Sequence, residues 1–112
     1  MKVNVRQSGD VIVLLPQGTL TSDNGDGLAL RNAASDAVDA GSRRLVINFQ
    51  DITKAASSGL GELVSVYRTV ARRGGRVKLS NASPSLRRTF EVTQVDTVFD
   101  LYATEAEAIA SF

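Results

Sequence analysis

The stretch Ala56-Ser57-Ser58-Gly59-Leu60-Gly61 decides how this chain is read. An apolar-rich run, Leu45-Val46-Ile47-Asn48-Phe49, comes shortly before it. An amphipathic pattern follows, with Leu60, Leu63, Val64, Tyr67, Val70 and Ala71 at helical spacing on one face. The six residues therefore mark the hand-over from a buried strand to a helix. Ser57 or Ser58 is the expected N-cap, its hydroxyl accepting from a free backbone N–H of the first turn. Gly59 and Gly61 are poor helix formers, and without side chains they let another backbone or a phosphate come close. A serine at this point is expected to be exposed, beside the partial positive charge of the helix end. A phosphate there is tolerated and changes the surface by about −1.5 to −2 charges. Spacing alone also fits two ordinary capping serines on a tight turn.

Upstream, Val3 and Val5 alternate with polar neighbours, and Gln7-Ser8-Gly9-Asp10 reads as a turn into a second strand, Val11 to Leu15. The short connection predicts an antiparallel pair. The second strand is apolar on both faces, which places it inside the sheet, and Pro16 and Gly18 are expected to end it. Thr21-Ser22-Asp23-Asn24 offers several caps for a first helix running to Ala40. Its inward stripe is Leu30, Ala33, Ala34, Ala37 and Val38, and Gly41 stops it. Gly25 and Gly27 predict an irregular first turn.

Downstream, Arg72 and Arg73 close the second helix, Gly74-Gly75 turn, and Arg76-Val77-Lys78-Leu79-Ser80 forms a strand parallel to 45–49. Ser83-Pro84 starts a third helix, with Leu86 and Phe90 sharing one face. A short strand is expected near 98–102. Thr104-Glu105-Ala106-Glu107 is a capping box opening a last helix, with Ala106, Ile109 and Ala110 inward. The fold class is α/β: a mixed sheet of four or five strands covered by about four helices, one domain over 1–112.

Composition narrows the function. With 112 residues, 43% hydrophobic and 22% charged, the chain suits one core. It has no cysteine and no histidine, which removes thiolate chemistry, the commonest general base and the commonest metal ligand. The acids, Asp10, Asp23, Asp26, Asp51, Glu62 and Asp96, are scattered on turns and helix ends, so no catalytic carboxylate pair stands out. Lys54, three residues before Ser57, reads as a solvated lysine rather than a base. The segment lacks the lysine of a P-loop. Net charge is +1, which gives no pull toward nucleic acid, and the cluster Arg72, Arg73, Arg76, Lys78, Arg87 and Arg88 reads as a solvated rim. No apolar run approaches the roughly 20 residues that span a bilayer, and the N-terminus is not patterned as a signal peptide. The expectation is a cytoplasmic protein that is not an enzyme, binds no cofactor or metal, and works through a protein partner.

Ser57-Ser58-Gly59-Leu60-Gly61 on a strand-to-helix turn resembles the phosphorylation motif of the STAS family, and among its members the bacterial anti-sigma-factor antagonists, whose pattern is Asp-Ser-Ser/Thr-Gly-Leu-Gly. Gly18-Thr19-Leu20-Thr21 stands where the family often has Gly-Glu-Leu-Asp. Arg73-Gly74-Gly75-Arg76-Val77 and the run from Ser83 to Phe90 extend the likeness over nearly the whole chain. The resemblance implies a partner that is a serine kinase doubling as an anti-sigma factor, and a phosphoacceptor at Ser57. It also implies a contact surface of Ser58, Gly59, Leu60 and Gly61 with Thr21, Ser22, Asp23 and Asn24 beside it. A phosphatase resets the switch, and ATP belongs to the kinase. Two family acids are replaced, by Ala56 and Thr21. That leaves a second reading open: an unphosphorylated STAS scaffold, or an accessory subunit of a membrane transport system.

Overall fold

Strand β2 (Val11–Leu20) is the spine of the sheet. The computed structural model describes residues 2–20 and 26–112, the side chains of 26, 27, 57 and 58 excepted. Strand β1 (Lys2–Ser8) folds back on β2 antiparallel, from Ser8↔Val11 to Lys2↔Gln17, as its short connection predicts. On the other side β2 pairs in parallel with β3 (Arg44–Asn48) through residues 11–14. Beyond a bulge at Gly18/Thr19 it pairs in parallel with β4 (Ile52–Ala55), matching Thr19 to Lys54 and Leu20 to Ala55. Strands β5 (Arg76–Ser80) and β6 (Asp100–Tyr102) extend the sheet from β3, both parallel. The order is β1-β2-β3-β5-β6, with β4 on the far end of β2.

The α/β class holds, and the described residues form six strands and four α-helices. The added strand is β4. Two corrections belong with it. Pro16 and Gly18 do not end β2. Pro16 falls in the interval where the ladder changes partner, between the β3 pairing that stops at Leu14 and the β4 pairing that starts at Gly18. Gly18, at φ +105°, absorbs the bulge that lets the strand continue.

Alternation along the strands separates two buried faces. Leu14, Leu45 and Ile47 join the main core, whereas Val11, Val13 and Val46 join a second cluster with Ala108. Helices α1 (Asp26–Asp39), α2 (Ser57–Arg72) and α3 (Pro84–Val92) contribute to the main core; α4 (Glu105–Ala110) supplies Ala108 to the second.

Helix α1 buries Leu30, Ala34 and Val38, with Ala33 and Ala37 packed beside them, as its spacing predicts. It stops at Gly41, whose φ is +106°. There the Gly41 N–H donates to the Val38 carbonyl and the Ser42 N–H to that of Ala37, the paired bonds of a glycine-terminated helix. Caps expected at Thr21, Ser22, Asp23 or Asn24, and the irregular turn expected around Gly25, lie outside the described residues.

The buried stripe of α2 is Leu60, Leu63, Val66 and Val70. That corrects its phase: Ala71 is exposed, Val64 half-buried and Tyr67 on the rim, its ring meeting Phe99 edge-on at 5.5 Å. Helix α3 starts as expected. The Ser83 hydroxyl accepts from the Leu86 N–H at 3.1 Å, Pro84 occupies the first turn, and Leu86 and Phe90 are buried. After it comes a single turn of 3-10 helix, Val95–Thr97, and then β6 at Asp100–Tyr102, within the 98–102 segment expected as strand. Thr104 caps α4 through the Glu107 N–H at 3.2 Å. The inward residue of α4 is Ala108, with Ile109 beside it, whereas Ala106 and Ala110 are exposed.

Candidate functional site

The serine pair stands where β4 hands over to α2. Pairing with β2 runs through Ala55, and the next N–H, of Ala56, donates to the Leu20 carbonyl at 3.0 Å. Ala56 is therefore held extended, at φ −100° and ψ 160°, and its own carbonyl accepts from the Gly59 and Leu60 N–H groups. This makes Ala56 the N-cap. The expected cap at Ser57 or Ser58 is corrected: both are already helical, at the first and second positions, because the ladder bond at Ala56 fixes the last extended residue. A methyl group cannot accept a hydrogen bond, so the cap has no side-chain bond, and the first turn contains no acidic residue. Helix α2 thus begins without a side-chain acceptor from its cap and with the positive end of a 16-residue helix.

The surroundings divide into support and surface. Leu60 is 3% exposed and Gly59 is buried, so both belong to the floor of the corner. Ala56 and Gly61 on either side are exposed. A Cβ built on Gly61 would meet nothing within 4 Å, so nothing in this chain requires a glycine there. Thr21, Ser22, Asp23 and Asn24 lie outside the described residues, but Leu20, which precedes them, is bonded to Ala56. The Gly18 N–H donates to the Asp51 carbonyl, and its own carbonyl accepts from the Thr53 hydroxyl, so the two strand ends are laced together below the corner. Lys54 is exposed on β4.

Two charged residues, one near the start of α2 and one at its far end, pair with α1. Glu62, in the second turn of α2, lies 3.6 Å from the Arg31 guanidinium of α1. Its Oε2 atom is buried and has no hydrogen-bond partner. Arg73, at the other end of α2, pairs with Asp39 of α1 at 2.8 Å, in keeping with a rim role. Among the described residues no group of three or more acids, histidines or cysteines is placed to hold a metal, and no helix is long and apolar enough to cross a membrane.

A largely parallel sheet in which β4 leads into a helix that opens with two serines, its cap making no side-chain bond, is an α/β domain of the STAS type. The chain belongs to the STAS domain family, whose model matches residues 2–108. It is similar to BtrV of Bordetella bronchiseptica, a candidate anti-sigma factor antagonist, with 26% identity over 112 residues, 100% of this chain and 95% of that protein. An anti-sigma factor antagonist from Mycobacterium paratuberculosis superposes with a TM-score of 0.83 at 25% identity, covering 98% of this chain and 92% of that one. SpoIIAA, a Bacillus anti-sigma factor antagonist solved in unphosphorylated and phosphorylated forms, gives 0.71 at 25% identity, covering 98% of this chain and 96% and 98% of the two forms. These relatives carry the names of regulatory proteins rather than enzymes.

Proposed function

We propose that this chain is an anti-sigma factor antagonist that binds a serine-kinase anti-sigma factor and so frees a sigma factor, and that phosphorylation of Ser57 breaks the contact. The observation that carries this reading is the bare start of α2: Ser57 is its first residue, Ala56 gives no side-chain cap, and Ala56 and Gly61 beside it are exposed. Ser57, Ser58 and Gly61 form the contact surface with residues 21–24, which follow Leu20. Gly59 and Leu60 hold that surface in place from below. Before modification the corner offers hydroxyls and small residues to close approach. A dianion on Ser57 would be buried against the partner at a cost of several kcal/mol unless it were paired. A phosphatase restores the binding form.

The test is incubation with the serine-kinase partner and ATP, followed by mass-spectrometric mapping of phosphate. Phosphate on Ser57, with loss of binding, supports the switch. Ser57→Asp is expected to weaken binding at least tenfold with an unchanged circular-dichroism spectrum; unchanged affinity would put the contact elsewhere. Ala56 favours a second reading, because a methyl group stands where the family pattern has an acid. In that reading the chain binds its partner permanently as an unphosphorylated scaffold, and tight binding with no phosphate incorporated is its signature. Recovery with membrane transport proteins in place of a kinase points instead to an accessory subunit of a transport system.

A further inference from the structure

Strand β1 is an open edge of the sheet. Among the described residues it pairs only with β2, and its outer row of N–H and C=O groups meets no strand. Such an edge is usually blunted by a proline, a bulge, a central lysine or a short strand. Strands β6 and β4 are short, at three and four residues. Strand β1 runs for seven residues without a proline, its ladder to β2 has no bulge, and its lysine, Lys2, stands at one end. Its two faces differ. On one, Arg6 reaches Glu105 of α4 at 2.6 Å, so the central cation of the strand is already paired. On the other, Val5 is 59% exposed and joins Val3 and Ile12 in lining a groove against Ala29, Ala33 and Ala37 of α1.

We propose that β1 pairs with β1 of a second copy of this chain, antiparallel about a two-fold axis at Val5, so that one sheet runs through both copies. The pattern of charges selects both the occupant and the register. With Val5 opposite Val5, Val3 meets Gln7, Asn4 meets Arg6 and Lys2 meets Ser8 of the other copy. No like charges face each other. Asp10, exposed in the turn beyond Ser8, comes within reach of the Lys2 side chain of the other copy, and the two-fold axis places one such pair at each end of the seam. Centring on Asn4 sets Lys2 against Arg6 twice, and centring on Arg6 sets that cation against itself, both unfavourable. A one-residue slip sets Val5 against Asn4 or Arg6 and matches the apolar face of one copy to the polar face of the other. In the Val5 register both exposed valines and the mouths of both grooves lie on one face, where each covers apolar surface of the other copy. A strand of unrelated sequence has to reproduce this pattern, whereas a second copy carries it. The seam needs neither the serine pair nor a kinase.

Sedimentation equilibrium of the full chain is the test, and the expected result is a dimer that dissociates on dilution. Val5→Lys sets two cations face to face at the axis. It is expected to weaken dimerisation at least tenfold with an unchanged circular-dichroism spectrum, because the side chain it replaces is mostly exposed. The chain has no cysteine, so a single introduced thiol reports the register. Residues directly opposite have Cα atoms about 4.5–5.5 Å apart, within the span of a disulfide. The two copies of Ser8 lie about 20 Å apart along the same seam, at about 3.4 Å per residue. Val5→Cys is therefore expected to cross-link on mild oxidation, and Ser8→Cys to stay open. A chain that stays monomeric at the highest concentration reached, a Val5→Lys protein that dimerises as tightly as the parent, or equal cross-linking of the two thiols overturns the proposal.

Discussion

Gly61 and Gly75 predict opposite outcomes for the same substitution. Gly61 lies inside α2, where a Cβ would meet nothing within 4 Å. Replacing it with alanine removes the backbone-entropy cost of an interior glycine, about 0.8–1.0 kcal/mol. Unfolding entropy of about 2.1 cal/mol/K per residue makes that a rise of about 4 °C in the melting temperature of a chain this long. Gly75 precedes β5. A Cβ there would lie 2.7 Å from Val70 Cγ1, 3.0 Å from the Arg43 carbonyl and 3.3 Å from the Val70 carbonyl. Neither oxygen can yield easily. The Arg43 carbonyl accepts from Arg76, and that of Val70 accepts from Arg73 and from Gly75 itself. Val70 is 0% exposed, so its methyl has no solvent to move into. Overpacking of this kind costs about 1–3 kcal/mol, a fall of about 4–13 °C. Urea unfolding followed by far-ultraviolet circular dichroism reads both variants, with equal m-values as the check that neither changes the unfolding reaction. If the proposed docking is right, the stabilised Gly61→Ala protein binds its partner at least tenfold more weakly, because the added methyl stands on the contact surface. A destabilised Gly61→Ala or a neutral Gly75→Ala would refute the packing argument. A stabilised Gly61→Ala with full affinity would refute only the docking.

The Glu105 carboxyl is held below the ordinary range, chiefly by two hydrogen bonds from Arg6 at 2.6 and 2.7 Å, with burial opposing and Asn48 adding a further bond at 3.0 Å. Its folded pKa lies below its unfolded one, so the unfolded chain binds the extra proton. The stability it contributes is complete above the unfolded value of about 4.5 and is lost as pH falls through the folded value. Because Arg6 is half exposed the contribution is under about 1 kcal/mol, and Arg6→Ala should flatten the acid limb of a stability–pH curve. Gln94 is held at φ 63°, a left-handed conformation that costs a residue with a Cβ about 1–2 kcal/mol. Gln94→Gly should therefore stabilise by about 1 kcal/mol in urea unfolding, less the entropy glycine returns to the unfolded chain. Lys78 is buried, donates to the Ser111 carbonyl at 3.1 Å and lies 4.8 Å from the Phe112 ring centroid. Phe112→Ala should cost about 1 kcal/mol or more and speed hydrogen exchange in α4 before the rest of the domain.

The sequence was most legible where a side chain acts on its own backbone. Ser83-Pro84, Thr104 with Glu107, and Gly41 each specify a helix end through one local bond or one dihedral, and each stands where it was expected. It was least legible where a distant strand decides. Ile52-Thr53-Lys54-Ala55 carries a single large apolar residue and no clear alternation, so it does not read as a strand. It becomes one because the bulge at Gly18 turns the end of β2 to meet it. The same pairing claims the Ala56 N–H and moves the start of α2, which explains why capping serines were expected and an alanine cap was found. The phase of α2 is ambiguous in the sequence because Val64, Tyr67 and Ala71 fit the period as well as Val66 does. The choice falls to the partner surface: Tyr67 is large enough to reach Phe99 from the rim, whereas Val66 must sit against the core. Alanines in α4 carry too little hydrophobic weight to fix a face, so Ala108 could not be told from Ala106 or Ala110.

The corner that bears the serines is therefore placed by a strand that changes partners. Through residues 11–14 β2 holds β3, the centre of the sheet, and through residues 18–20 it holds β4, which leads directly into α2. The bulge where the second pairing begins takes a residue at positive φ, and Gly18 supplies it at +105°. The arrangement has a mechanical consequence. The start of α2 is fixed to the sheet by the Ala56–Leu20 bond and, beneath it, by Gly18 bonded to both Asp51 and Thr53. Its second turn is anchored through Leu60 and Leu63 in the core. A charge added at the first position of such a helix has little backbone freedom through which to retreat. If the proposed switch is right, such a charge meets the partner as added charge rather than relaxing into the fold, which is the property a surface needs if modification of one hydroxyl is to be read by another protein.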